Sequence, residues 1–345
     1  QCDWSSDVCS SDLKNNMNIK KIGMTALAAS LVSVSASAGE LSVSGSASIN
    51  AEGYSAPATT GLNGGTTFSM GNAITLSGSG ELDNGMTVSL SYELDEGANA
   101  AGTATSLFDN HSVTVSSDAM GTLVFSGHGG STAASSINTT AAGDLYDLFD
   151  GAQGNLGVTG VAISESGAGN NSFFYTTPSV MDGVALFASY TPQAAVAAQS
   201  AGSVGYGITY TGVEGLTASF ATNDINGGSA DANGDVDVIS LSYAMGPITA
   251  SYSNNDYDVG TAGSDQETSA FALSYTLSDS LSVTYGQETI EQTALTDAEY
   301  SKISASYTAG GMTISASMAE GDNIDQTTAA NEDLEYWSLG ASFAF

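Results

Sequence analysis

The stretch Leu41-Ser42-Val43-Ser44-Gly45-Ser46-Ala47-Ser48-Ile49 alternates an aliphatic or small residue with serine at every second position. Successive side chains of a β-strand point to opposite faces, so this stretch carries one apolar face and one hydroxyl face. The same period returns at Ile74–Gly78, Met86–Tyr92, His111–Ser117, Thr122–Gly127, Ser172–Thr177, Val184–Tyr190 and Val204–Tyr210. It continues at Leu216–Ala221, Val236–Tyr243, Ile248–Tyr252, Ala270–Leu277, Leu281–Tyr285, Lys302–Tyr307, Met312–Met318 and Tyr336–Phe345, sixteen segments in all. The apolar face is thin (Ala, Val, Leu, Ile) and the other is almost wholly Ser and Thr. A β-sandwich would bury its apolar face and call for bulky packing residues. Aliphatics facing lipid and hydroxyls facing a wet interior explain both faces at once, which predicts an all-β, transmembrane antiparallel β-barrel of 16 strands.

The connections support the same architecture. Seven are tight and rich in turn residues: Asp83-Asn84-Gly85, Ser117–Gly121, Ser179–Gly183, Gly212–Gly215, Met245–Pro247, Ser278–Ser280 and Ala309–Gly311. Eight are longer and polar, at 52–66, 95–108, 128–170, 191–202, 222–234, 254–266, 287–298 and 319–333. Short periplasmic turns at one end and long extracellular loops at the other are the mark of an outer-membrane barrel. Tyr210, Tyr243, Tyr275 and Tyr307 each lie within three residues of a short turn, the depth of an interfacial girdle.

The N-terminal part reads differently. Met17, Lys20 and Lys21 precede an apolar stretch from Ile22 to Val34 and the small-residue site Ala36-Ser37-Ala38. Residues 17–38 therefore read as a secretory signal peptide, too short and too polar to span a bilayer. Residues 1–16 read as a non-native or artefactual leader, and residues 39–345 as the barrel. Cys2 and Cys9 are the two cysteines of the chain, so the barrel segment has no disulfide and no thiolate ligand.

Charge narrows the function further. The chain carries 37 Asp and Glu against four Lys and Arg, a formal net charge of −33. After residue 38 the one cationic side chain is Lys302, and there is no arginine anywhere. Such a chain cannot neutralise a phosphate backbone, which excludes nucleic acid as a partner. No GxSxG, HExxH or phosphate-binding loop occurs, and His111 and His128 are the only histidines, so the sequence predicts no enzyme.

Several segments resemble one family. Leu41–Gly45 resembles an opening strand, and Ile74–Gly78 with the Asp83-Asn84-Gly85 turn resembles a first hairpin. Gly143-Asp144-Leu145-Tyr146-Asp147 resembles part of a third loop, and Tyr336–Phe345 resembles a final strand with its terminal phenylalanine. Together they resemble the general diffusion porins of Gram-negative bacteria, particularly the sixteen-stranded alphaproteobacterial type. The resemblance implies a water-filled channel in the outer membrane for passive diffusion of small hydrophilic solutes and ions. It implies outer-membrane lipid as surroundings, a homotrimer, and a third loop folded into the lumen. It also implies that Phe345 is the terminus read by the barrel-assembly machinery.

In that family, loop acids face a basic wall; a chain whose only cation after residue 38 is Lys302 cannot build one. Asp144, Asp147, Asp150 and Glu165 of the third loop are the expected pore constriction, and a ring of carboxylates predicts cation preference. Parity from Ile303, Ala305 and Tyr307 places Lys302 on the lumen-facing wall, as a lining charge or as a lysine neutralised by neighbouring acids. Parity from Leu123 and Phe125 places His128 inward, as a group titrating near neutral pH or a plain polar lining residue. Asp231, Asn233, Asp235 and Asp237 place oxygen ligands at alternate positions, candidate calcium ligands or a solvated acidic rim. No other cofactor is expected. The alternative function is a non-channel acidic surface β-protein or adhesin.

Overall fold

The computed structural model describes residues 41–55, 66–95, 110–137, 140–149, 170–192, 202–226, 234–259, 265–293, 295–324, 326 and 333–345. The leader and signal segments expected at residues 1–38 lie outside the described residues. Sixteen strands are present among the described residues. The first eight are β1 (Ser42–Ser55), β2 (Thr66–Glu81), β3 (Thr87–Asp95), β4 (Asn110–Ser117), β5 (Gly121–His128), β6 (Ser172–Thr176), β7 (Val184–Thr191) and β8 (Gly202–Tyr210). They continue with β9 (Leu216–Asn226), β10 (Gly234–Met245), β11 (Ile248–Val259), β12 (Gln266–Ser278), β13 (Leu281–Gln292), β14 (Ala298–Ala309), β15 (Met312–Asp322) and β16 (Leu334–Ala344). Every sequence segment with period two is a strand.

Each strand pairs antiparallel with its sequence neighbours, and β1 closes on β16. The sheet thus forms a closed barrel without free edges, the condition for spanning lipid with strands. The seam runs from Ser55–Glu335 to Ser46–Ala344. Below it, Gly45 N–H donates to the Phe345 carbonyl at 2.8 Å and Phe345 N–H donates to the Gly45 carbonyl at 3.0 Å.

Alternation assigns the two faces. On β10, Ile239, Leu241 and Tyr243 are exposed on the outside, whereas Ser240 and Ser242 are half-buried on the inside. Tyr210, Tyr243, Tyr275 and Tyr307 all lie exposed on the outer face near the short turns. A second outward level, with Tyr252, Phe271, Tyr285 and Trp337, lies toward the other end. The Asp83-Asn84-Gly85 turn follows its chemistry: Asn84 Oδ1 accepts the Met86 N–H at 3.1 Å, and Gly85 takes a φ of 78°.

The strands outrun the apolar segments. The sequence reading placed 222–234, 254–266, 287–298 and 319–333 in loops, but β9 continues to Asn226, β11 to Val259, β13 to Gln292 and β15 to Asp322. Asp, Asn and Glu are poor strand formers because strands normally occupy half-buried surfaces. Here their outward side chains meet water above the lipid, while inward Val236, Val238, Ile290 and Ala298 are buried inside the barrel. The ladder therefore continues. The result is a lopsided wall, with β10 to β14 at 12 or 13 residues and β6 at only five.

Those extensions place acids opposite acids on the outer face. Asp235 pairs with Asp224 and Asp258, Asp237 with Asp256, and Asp256 with Glu267. Glu267 then pairs with Glu291, Glu299 with Asp322, and Glu320 with Glu335. An acidic collar follows the β9–β16 half of the barrel above its apolar belt.

Candidate pore constriction

The third loop leaves β5 and lies against the inside of the barrel wall. Its first contact is with β7, β8 and β9. Ala133 N–H donates to Ser189 Oγ at 2.8 Å, and Ala133 packs with Phe187 and Ala221. Ala134 is buried with Ile225, Val236 and Val238. These apolar residues face inward on the wall, and the loop covers them.

The second contact holds residues 141–149. Ala141 N–H donates to Ser253 Oγ on β11 at 2.7 Å. Ala142 lies over Gly286 on β13, and Leu145 and Tyr146 donate their N–H groups to Glu288 Oε2 and Oε1 at 3.2 and 2.9 Å. The backbone turns at Gly143 and Asp144, with φ of 87° and 49°. Asp144 Oδ1 then accepts the Asp147 N–H at 3.3 Å, at the start of a single helical turn over 147–149. Tyr54 on β1 donates its hydroxyl to the Leu148 carbonyl at 2.6 Å. Phe149 is fully buried among Tyr54, Tyr300 and Tyr336, with ring centroids 5.5 to 6.4 Å away. The described part of the loop thus runs along the inside of the barrel from β7 to β1.

The expected constriction residues fall in different places. Asp147 is exposed on the loop, while Asp144 is half-buried and interacts electrostatically with Glu288 and Lys302. Asp150 and Glu165 lie outside the described residues. Lys302 is on the inner face of β14, directly opposite Gly286, while Ile303 beside it points outward. Its Nζ lies 3.8 Å from where a Cβ on Gly143 would stand, so the ammonium is beneath the loop. On the inner face of β1 and β3, Glu52 accepts the Tyr336 hydroxyl at 2.8 Å and Glu93 accepts from Asn110 Nδ2 at 2.8 Å, with Asp95 two residues further along β3.

His128 is half-buried at the end of β5, paired with His111 across a bulge at Gly127. That extra residue breaks the period-two count on which its inward placement rested. Phe345 ends the seam with its ring across Gly45, where a side chain would collide with it. Asp235 and Asp237 project outward from β10 rather than from a loop at the mouth, and Asp231 and Asn233 lie outside the described residues. Among the described residues no group of three or more His, Cys, Asp or Glu side chains is close enough to hold a metal ion.

The sequence reading missed the loop's anchors. Glu288, Gly286, Ser189, Ser253, Tyr300 and Tyr54 hold the loop, and no motif marks them in the sequence. A signal existed for Glu288: extending the alternation two steps beyond Gly286 places a carboxylate and then Ile290 inward, an arrangement that only a covering segment can satisfy.

A closed sixteen-strand barrel with an apolar outer belt, a hydroxylic interior and an inward-folded loop defines an outer-membrane channel. The sequence model of the Gram-negative porin family matches residues 23–345, and the chain belongs to that family. Solved structures agree on the fold. The anion-selective porin from Comamonas acidovorans is 17% identical with a TM-score of 0.61, the match covering 89% of this chain and 99% of that one. A triple mutant of the Rhodopseudomonas blastica porin is 18% identical with a TM-score of 0.57, covering 89% and 100%. A porin refined at 1.8 Å is 15% identical with a TM-score of 0.62, again covering 89% and 100%. The comparison with curated proteins finds no match. The protein is an outer-membrane diffusion channel, not an enzyme.

Proposed function

We propose that this porin passes small hydrophilic solutes and ions passively, prefers cations and works as a homotrimer in outer-membrane lipid. The observation that carries the cation preference is the charge inventory of the interior. Asp147 on the loop and Glu52 and Glu93 on the wall are carboxylates, and the one cationic side chain after residue 38 is held under the loop beside Glu288 and Asp144. Carboxylates lining a narrow wet passage raise the local concentration of cations and repel anions. The Comamonas structure, described as anion-selective, has the same fold, so the barrel alone leaves selectivity open and the lining charges must decide it. Membership in the porin family sets aside the non-channel surface-protein reading.

The test is a planar-bilayer recording under a KCl gradient. A reversal potential on the cation side is expected, and one on the anion side would overturn the preference. Cross-linking of the detergent-extracted protein should give a band at three times the monomer mass; a monomer band alone would overturn the trimer.

A further inference from the structure

We propose that Glu288 and Lys302 form a latch that fixes the third loop against the barrel wall and so sets the bore, and that Lys302 is a loop-positioning residue rather than a lining charge. Glu288 is 1% exposed on the inner face of a membrane-spanning strand. A carboxylate there needs hydrogen-bond partners, and both of its oxygens are committed to the loop backbone, one to Leu145 and one to Tyr146. The two N–H groups precede the helical turn 147–149, so the carboxylate holds the loop by its backbone and leaves its side chains free to vary.

Lys302 completes the arrangement from the next strand. It pairs across the ladder with Gly286, two residues from Glu288 on β13. The missing side chain at Gly286 admits Ala142, and the Lys302 ammonium reaches up beside Gly143. Gly286, Glu288 and Lys302 thus form a cradle for residues 142–146, with the Lys302 ammonium near Glu288 and Asp144. A lysine so placed faces the underside of the loop and not the passage. An acid held inside the wall costs less to bury when both oxygens accept backbone N–H groups and a cation stands nearby, so each of these partners supports the seated loop. Loss of either member is therefore expected to free the loop from the wall.

Tyr146, Leu148 and Phe149 give a readout that does not depend on conduction. Phe149 is fully buried while the loop is seated, so chymotrypsin should spare these bonds in the folded native protein. Glu288→Gln leaves one N–H facing an amide instead of an acceptor; Lys302→Met removes the nearby cation. Both variants are extracted as folded barrels, recognised by their heat-modifiable mobility, and digested from the outside. Cleavage between residues 146 and 149 is expected in both, and Lys302→Arg should restore protection. In bilayers the loosened variants should lose the single conductance level of the parent protein and show a changed size limit for neutral sugars.

The latch would be overturned by Lys302→Met that stays protected while its reversal potential moves toward cations, since that is the behaviour of a lining charge. Glu288→Gln that stays protected with unchanged conductance would overturn it equally. Should Glu288→Gln fail to fold, Lys302→Met alone decides. The effect on bore rests on the channel reading; if the parent protein does not conduct at all, that reading fails, whereas the digestion still decides the latch.

Discussion

A Cβ placed on Gly286 would stand 3.0 Å from the Ala142 Cβ and 3.3 Å from its Cα, so the third loop rests on β13 at a position that has no side chain. Glycine weakens a strand interior, and its presence in a membrane-spanning strand marks a close approach of another backbone. Gly286→Val would force the loop off the wall and into the bore. Overpacking of this kind costs about 1–3 kcal/mol. The expected result is a folded barrel with a smaller single-channel conductance and a lower sugar size limit. Unchanged conductance would show that the loop does not bear on Gly286.

Asp147 and Asp237 stand in different settings and should respond differently to charge reversal. Asp147 is exposed on the loop inside the barrel, whereas Asp237 points outward from β10 above the lipid belt. At 1 M salt the screening length is about 3 Å, too short for Asp237 to act on ions in the passage. Asp147→Lys should then shift the reversal potential toward anions while Asp237→Lys leaves it unmoved. Equal shifts from the two variants would place the selectivity outside the third loop.

The strand number and the outer face were legible because period two is a local property of each segment. Leu41–Ile49 and Val236–Tyr243 declare their faces without any knowledge of their neighbours. What could not be read depends on contacts across the barrel. Residues 287–292 look like loop because Gln287, Glu288, Glu291 and Gln292 are polar, yet the ladder carries them because β12 pairs as far as Gln292 and β14 as far as Ile290. Likewise Asp144 was legible as a third-loop acid, but its neighbours Lys302 and Glu288 lie more than a hundred residues away. His128 shows the limit of parity itself, since one extra residue at Gly127 shifts the count.

Adjacent residues on β10 give a direct test of the two faces. Leu241 is exposed toward lipid between Tyr243 and the acidic Asp237 on the same face, and Ser242 faces the interior, accepting from Ser251 Oγ at 3.2 Å. A lysine on the lipid face near the midplane costs about 2–4 kcal/mol in a barrel of this kind, whereas a lumen lysine is solvated. Leu241→Lys should lower the denaturant midpoint of refolded protein in lipid vesicles. Ser242→Lys should fold normally and reduce the cation preference. The reverse pattern would invert the assignment of the faces.

The acidic collar predicts how the barrel responds to salt. Asp237, Asp256, Glu267 and Glu291 form a row in which each carboxylate stands directly opposite the next on β10 to β13. Like charges opposite one another are unfavourable, by roughly 0.2–1 kcal/mol for each exposed pair. The strands hold them together because the backbone ladder and the buried inner side chains outweigh that repulsion. Added NaCl screens exposed charges within a Debye length of about 10 Å at 0.1 M and about 3 Å at 1 M. The temperature at which the heat-modifiable folded band is lost should therefore rise between these two concentrations. Asp256→Asn removes two of the like-charge pairs at once, so the variant should melt higher than the parent at low salt and converge with it at high salt. A variant that melts lower at low salt would mean that the Asp256 carboxylate stabilises the wall, and the repulsive reading of the row would fall.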